Sequence, residues 1–163
     1  MAASPEAAAQ ASAWTSPDGV VSMLIPTDWV TVKDPKHTLF IERTDDQEKE
    51  WADCKVVVGS APNLLGESQE QLNSRMEQRP KDSLTRGGGQ LVEYSTSTRV
   101  GEAAVRKYTV KYPGMILRGR EIGVIHSQMT TGIMAICTYS DKAPKDWSTA
   151  SIDFLKSLAI NAD

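Results

Sequence analysis

The chain lacks most of the marks by which a sequence declares its chemistry. None of its apolar runs approaches the roughly 18 to 20 residues that a membrane-spanning helix needs. It has no C-x-x-C or H-x-x-x-H element, and its only cysteines and histidines are Cys54, Cys137, His37 and His126, so a zinc site of four recognisably spaced ligands is not written in it. The triple glycine of TRGGGQ (85–90) runs into a strand pattern, without the lysine and helix of a phosphate loop, and reads as a connection. The acidic run RTDDQEKE (43–50), with Asp45, Asp46, Glu48 and Glu50, lacks the alternating spacing and the glycine of a calcium loop and reads as a solvated loop. A formal net charge of -3 excludes a surface dominated by basic residues, and with it nucleic acid as a partner. With 40% hydrophobic and 24% charged residues the chain is not of the disordered class.

What remains is a chain of 163 residues, long enough to bury a core as one domain without metals or cross-links. The opening MAASPEAAAQASAW has neither a basic n-region nor an apolar h-region. Its Ala, Ser and Pro content is that of a mature N-terminus following a removed signal, which predicts an exported, periplasmic or surface-attached protein; a cytoplasmic tail is the alternative reading. Residues 1–12 are expected to be a flexible tail and 13–163 a single domain.

From Trp14, Ser16-Pro17-Asp18-Gly19 is a turn signal between a strand ending near Thr15 and the strand VVSMLIP, predicting a hairpin. HTLFIER (37–43) reads as another strand. In ADCKVVVGS, Cys54, Val56 and Val58 alternate with Asp53, Lys55 and Val57, the period of a half-buried strand. Ser68 and Gln71 stand at capping-box spacing ahead of Leu72 and Met76, so a helix starts near Ser68 and Pro80 ends or kinks it. Three strand patterns then follow through residue 140 on short connections, which implies antiparallel pairing. The last of them, GIMAICTYS, is apolar on both faces and is expected to be central. At the end, Trp147, Ala150, Ser151, Phe154, Leu155 and Leu158 make a helical stripe, with Pro144 suited to the first helical position. The class is α+β: a twisted, mainly antiparallel sheet flanked by helices.

An N-terminal Trp followed by SPDGVVSMLIPTDW, a mid-chain helix, GEAAVRKYTV, a long strand pair and the closing DWSTASIDFLKSLAI together resemble the superfamily of photosystem II PsbP, bacterial DcrB and the Ran-binding Mog protein. The resemblance spans nearly the whole chain and rests on a hairpin turn and a docking helix. It implies an α/β/α sandwich and a non-enzymatic role as accessory subunit, periplasmic lipoprotein, small-GTPase partner or chaperone, with no catalytic residue, metal or cofactor to carry over. No lipid-attachment cysteine stands near this N-terminus, so a lipoprotein reading requires one upstream.

The candidate residues are few. Cys54 and Cys137 are either buried thiols or a disulfide, and export favours the disulfide, which requires their Cα atoms to lie within about 7 Å. Arg99, Arg106, Lys107, Lys111, Arg118 and Arg120 all come from the strand meander. They form either a cationic patch for an acidic partner or anionic head group, or a solvated face neutralised by Glu93, Glu102 and Glu121. His126 shares the alternation of Ile122 and Val124, as a cleft residue or as a hydrogen-bonded strand end, and His37 reads as a solvated loop residue. The expected function is an exported accessory domain, monomeric or homodimeric, that binds another protein. The alternatives are a cytosolic chaperone for a secreted effector, which shields apolar client helices, and a small anionic-ligand or lipid-binding module using His126 and Arg120.

Overall fold

The computed structural model describes residues 12–45, 50–85, 87–126 and 131–161. The expected tail, apart from Ser12, and residues 46–49 of the acidic run lie outside them. The strands are β1 (Ser12–Thr15), β2 (Val21–Ile25), β3 (Val30–Thr31), β4 (Leu39–Thr44), β5 (Trp51–Ser60), β6 (Gln90–Val100), β7 (Ala103–Tyr112), β8 (Met115–His126), β9 (Thr131–Ser140) and β10 (Ala159–Ile160). Among the described residues the α-helices are α1 (Gln69–Gln78) and α2 (Lys145–Lys156).

Seven strands form one sheet in the order β3-β4-β5-β9-β8-β7-β6, and β1, β2 and β10 form a second, small one. Every pairing is antiparallel. The β1–β2 hairpin turns on Ser16–Gly19 as the sequence indicates. The Ser16 hydroxyl donates to Asp18 Oδ1 at 2.5 Å and accepts from the Val21 amide at 3.1 Å, while Gly19 takes φ +76°. Helix α1 opens on a full capping box: Ser68 Oγ accepts from the Gln71 amide and Gln71 Oε1 accepts from the Ser68 amide. It closes at Arg79, held extended by the following Pro80. One detail differs in α2, where Pro144 is the N-cap at ψ 143° and Lys145 is the first helical residue.

Strand alternation divides the large sheet into two chemically different faces. One face carries Leu39, Ile41, Cys54, Val56, Ile122, Ala135 and Cys137. It is covered by Trp147, Phe154 and Leu155 of α2 together with Val21 and Met23 of the small sheet, and this is the main core. We call it the core face. The Arg43 guanidinium lies 5.1 Å over the Trp147 ring and ties the start of α2 to β4. The opposite face, here the open face, is covered by the 3-10 turn Pro62–Leu64 near Gly132 of β9 and by α1 over β7 and β8. There α1 lays Met76 into the space above Gly123, where a Cβ would collide with the methionine sulfur.

Cys54 and Cys137 face one another across the β5–β9 ladder, with Cα atoms 4.0 Å apart and sulfurs bonded at 2.05 Å. Both are fully buried, and the Ser151 carbonyl of α2 is 3.8 Å from the Cys137 sulfur. The bond closes a loop with a sequence separation of 83 residues, which in the chain-entropy description stabilises the fold by about 4 to 5 kcal/mol. Replacing both residues, Cys54→Ala with Cys137→Ala, is expected to cost about 2 to 5 kcal/mol; a urea midpoint equal to that of the oxidised wild type would contradict this. Gly123→Val is expected to lift α1 and cost about 1 to 3 kcal/mol. Gly59→Val, where nothing stands within 4 Å of the added Cβ, should cost less in the same denaturation experiment.

Candidate functional site: a groove on the open face of the sheet

With α1 over β7 and β8, the open face of β5 and β9 is bordered by α1 and by the 3-10 turns Pro62–Leu64 and Asp82–Leu84, which leave hollows above it. The residues that alternation sends there form the floor of a groove: Asp53, Lys55 and Val57 from β5, and Met134, Ile136 and Thr138 from β9. In its middle is a cavity of about 340 Å³ bounded by Trp51, Asp53, Tyr108, Tyr112, Leu84 and Thr138. Trp51 and Tyr112 also border a larger cavity of about 530 Å³ that reaches the β7–β8 hairpin. Further along the same strands the groove becomes an apolar hollow of about 230 Å³ between Leu64, Leu72, Met76, Val57 and Met134. Gly59 and Gly132, paired across the two strands, leave its floor without side chains.

The polar centre of the groove is Asp53. Burial pushes its carboxyl above the usual carboxylate range, against the opposing pull of the Thr138 hydroxyl, which donates to Oδ1 at 2.9 Å, and of Lys55. The Lys55 ammonium is itself drawn 5.1 Å over the Phe40 ring. Tyr108 is 2% exposed and its ring lies across Gly119, where a Cβ would strike it. Burial, then the charges of Glu121 and Asp53, hold the Tyr108 hydroxyl protonated well beyond the ordinary tyrosine range. The groove thus combines an aromatic wall, a protonatable acid and an apolar end. Among the described residues no three His, Cys, Asp or Glu side chains converge as metal ligands.

The six cations of the meander do not share a surface. Lys107, Lys111, Arg118 and Arg120 lie on the core face of β7 and β8, beyond the part that α2 and the small sheet cover, whereas Arg99 and Arg106 point to the open face. Consecutive residues of a strand must diverge in this way. Arg106 is 5% exposed, donating to the Asn73 carbonyl at 2.9 Å and to Thr96, with Glu77 3.4 Å away. Arg99 pairs with Glu70 beside α1. Nor is Glu121 an interleaved surface acid: it is 1% exposed, ion-paired with Arg79, and accepts the Tyr94 hydroxyl at 2.6 Å. The expected single patch is therefore two structures, a buried network that fixes α1 and a smaller solvent-facing cluster. Among the exposed pairs, Lys107 lies 3.6 Å from Glu93, and Arg118 donates to Asp141 at 2.7 Å.

His126 ends β8 opposite Thr131 on the core face with Ile122 and Val124, so it stands on the side of the sheet away from the groove and is not one of its residues. His37 is engaged locally, its Nδ1 3.0 Å from Asp34 Oδ2. Asp53, Trp51, Tyr108 and Tyr112 were not singled out from the sequence. The period-two pattern does place Asp53 and Lys55 together, but nothing in it tells that β9 lies beside them.

These features define a class before any comparison: an α+β domain with a seven-stranded antiparallel sheet, a helix on each face and a disulfide at its centre. No protein-family model matches the chain, and no curated protein matches it by sequence. Solved structures do share the fold. LpqN, described as involved in cell envelope biogenesis of Mycobacterium tuberculosis, superposes with a TM-score of 0.59 at 12% identity, covering 94% of this chain and 91% of that one. A protein of Bacteroides thetaiotaomicron superposes with a TM-score of 0.52 at 13% identity and covers 94% of this chain, which spans only 50% of its length.

A raised carboxyl makes a definite prediction for pH. Between the ordinary carboxylate pKa and the raised value, the folded state holds a proton at Asp53 that the unfolded state has lost, so this group lowers stability as pH rises through that window. Asp53→Asn is expected to keep the contact with Thr138 and to be more stable than wild type near neutral pH, with the gain shrinking towards about pH 3. Urea midpoints measured across that range check it; a gain independent of pH would contradict it.

Proposed function

We propose that the chain is an exported envelope accessory domain of the PsbP, DcrB and Mog type, acting by binding a protein partner and not by catalysis. The observation that carries this reading is the buried Cys54–Cys137 disulfide in the middle of the large sheet. A bond in that place has to form as the chain folds, and oxidising compartments such as the periplasm and the cell exterior are where structural disulfides form and persist. The fold shared with LpqN, whose description is cell envelope biogenesis, supports the same setting. The groove supplies the binding surface: an aromatic wall for a partner's side chains at Trp51 and Tyr112, and an apolar hollow at Leu72 and Met76.

That hollow also favours one element of the chaperone alternative, since an apolar side chain of a client helix would fit between Leu64, Met76 and Met134. The disulfide argues against its cytosolic setting. The ligand-binding alternative based on His126 and Arg120 loses support, because both residues stand on the core face of β8, away from the groove. Fractionation of cells carrying the tagged gene at its own locus decides between the settings. The tagged protein is expected in the envelope or extracytoplasmic fraction, and recovery in the cytosol alone would overturn the export reading.

A further inference from the structure

One lateral row of the open face runs in register from β4 to β7 through Glu42, Asp53, Thr138, Gly119 and Tyr108. Its first two members are acids directly opposite one another, a pairing that is unfavourable on its own. Asp53 accepts a hydrogen bond from the Thr138 hydroxyl, and neither carboxyl has an ion pair among the described residues. The Lys55 ammonium, one row along, is held over the Phe40 ring of β4 instead. At the other end of the row Tyr108 is almost wholly buried, and its hydroxyl stands over Gly119, which puts no side chain between it and Thr138. That hydroxyl has no hydrogen-bond partner among the described residues. An unpaired acid and an unpartnered hydroxyl thus border the same cavity of about 340 Å³.

Buried polar groups are ordinarily paired, so the chemistry of the missing partner can be read from these two. An anion is repelled by Asp53 and Glu42, and a neutral hydroxyl compound leaves their mutual repulsion in place. A cation relieves it. Among cations the guanidinium is flat and weakly hydrated, carries donors enough for both the Asp53 carboxyl and the Tyr108 oxygen, and stacks on aromatic rings. Trp51 and Tyr112 provide such a wall, and Tyr112 is fixed by its packing over Gly89 and against Leu84 and Tyr108. Lys111 and Lys142 border the outer cavity and not this one. We propose that the cavity is the socket for an arginine side chain of the protein partner, its guanidinium bridging Asp53 and Tyr108 and its stem lying along Trp51 and Tyr112. The proposal rests on the protein-binding reading and gives the partner's anchor its chemistry. Arrival of the cation displaces the proton that burial favours on Asp53, so binding is linked to pH. The groups that bear on this titration are Thr138 through its hydrogen bond, Lys55, the opposed Glu42, and His37 by charge alone, itself paired with Asp34.

Titration of the purified full-length protein with short end-capped alanine peptides, followed by amide chemical shifts, tests it. A peptide with one central arginine is expected to give saturable shifts at Asp53, Thr138 and Tyr108. The same peptide with citrulline, which keeps the shape and loses the charge, should bind at least about tenfold more weakly. Lysine in that place should fall between the two. Asp53→Asn should weaken the arginine peptide by about tenfold or more, and Tyr108→Phe by about threefold. Asp153→Asn makes the same change of charge on α2, across the sheet, and should leave binding as it was. Wild-type affinity should rise with pH while Asp53 gives up its proton and level off above that point, whereas the residual binding of Asp53→Asn stays flat through the same range. Circular dichroism establishes that each variant is folded, and Tyr108→Phe reads the same socket if Asp53→Asn is not. Absence of saturable shifts, equal binding of the citrulline peptide, or arginine binding that survives both Asp53→Asn and Tyr108→Phe would each overturn the proposal. A cytosolic location in the fractionation experiment would leave the socket standing, and a failed titration would leave the export reading and a partner anchored elsewhere in the groove.

Discussion

The pairing of β5 with β9 is the constraint on which the rest of the molecule depends. The two strands are distant in sequence, yet they lie side by side in the interior of the large sheet, and the register that puts Cys54 opposite Cys137 fixes every other pair along the ladder. A slip of β5 by one residue would send Cys54 and Val56 to the open face and Asp53 and Lys55 into the core. The disulfide forbids that slip covalently. It also joins the N-terminal strands to the β6–β9 meander, two parts of the chain that would otherwise be held by non-local contacts whose closure entropy is unfavourable.

The same ladder has two sides with different duties. Beneath it, α2 and the small sheet complete a core in which Phe154 and Leu155 are no more than 1% exposed. Above it, the floor of the groove alternates acid, cation and apolar residues. The neighbouring strands β7 and β8 repeat the division: their open face buries Arg106 and Glu121 under α1, and their core face, past the reach of α2, turns Lys107, Lys111, Arg118 and Arg120 towards solvent. Buried charges of this kind need partners, and Asn73, Glu77, Arg79 and Tyr94 supply them. Position on one face or the other, rather than residue type, separates a cation that orders a helix from one that faces solvent.

The local elements were legible in the sequence because their signals are local. The SPDG turn, the Ser68–Gln71 capping box, Pro80 as a stop and the stripe of α2 each act within a few residues, and the alternation on β5 and β9 assigned their faces. The non-local features were not legible. Nothing in ADCKVVVGS or GIMAICTYS states that the two strands are neighbours, and the two-residue strands β3 and β10 are too short to carry a period. The groove escaped for the same reason, since it exists only where α1 stops short of β5. The division of the cations was in principle readable, because Arg106 and Lys107 must diverge, but the two register shifts in β6 hide where Arg99 points.

The most direct test of this account is the redox state of Cys54 and Cys137 in protein isolated from its own cells, alkylated before and during denaturation and weighed by mass spectrometry. A structural disulfide in an exported domain leaves no alkylated cysteine until reductant is added, after which both react. Two alkylated cysteines in the unreduced sample would contradict both the central cross-link and the export reading built on it.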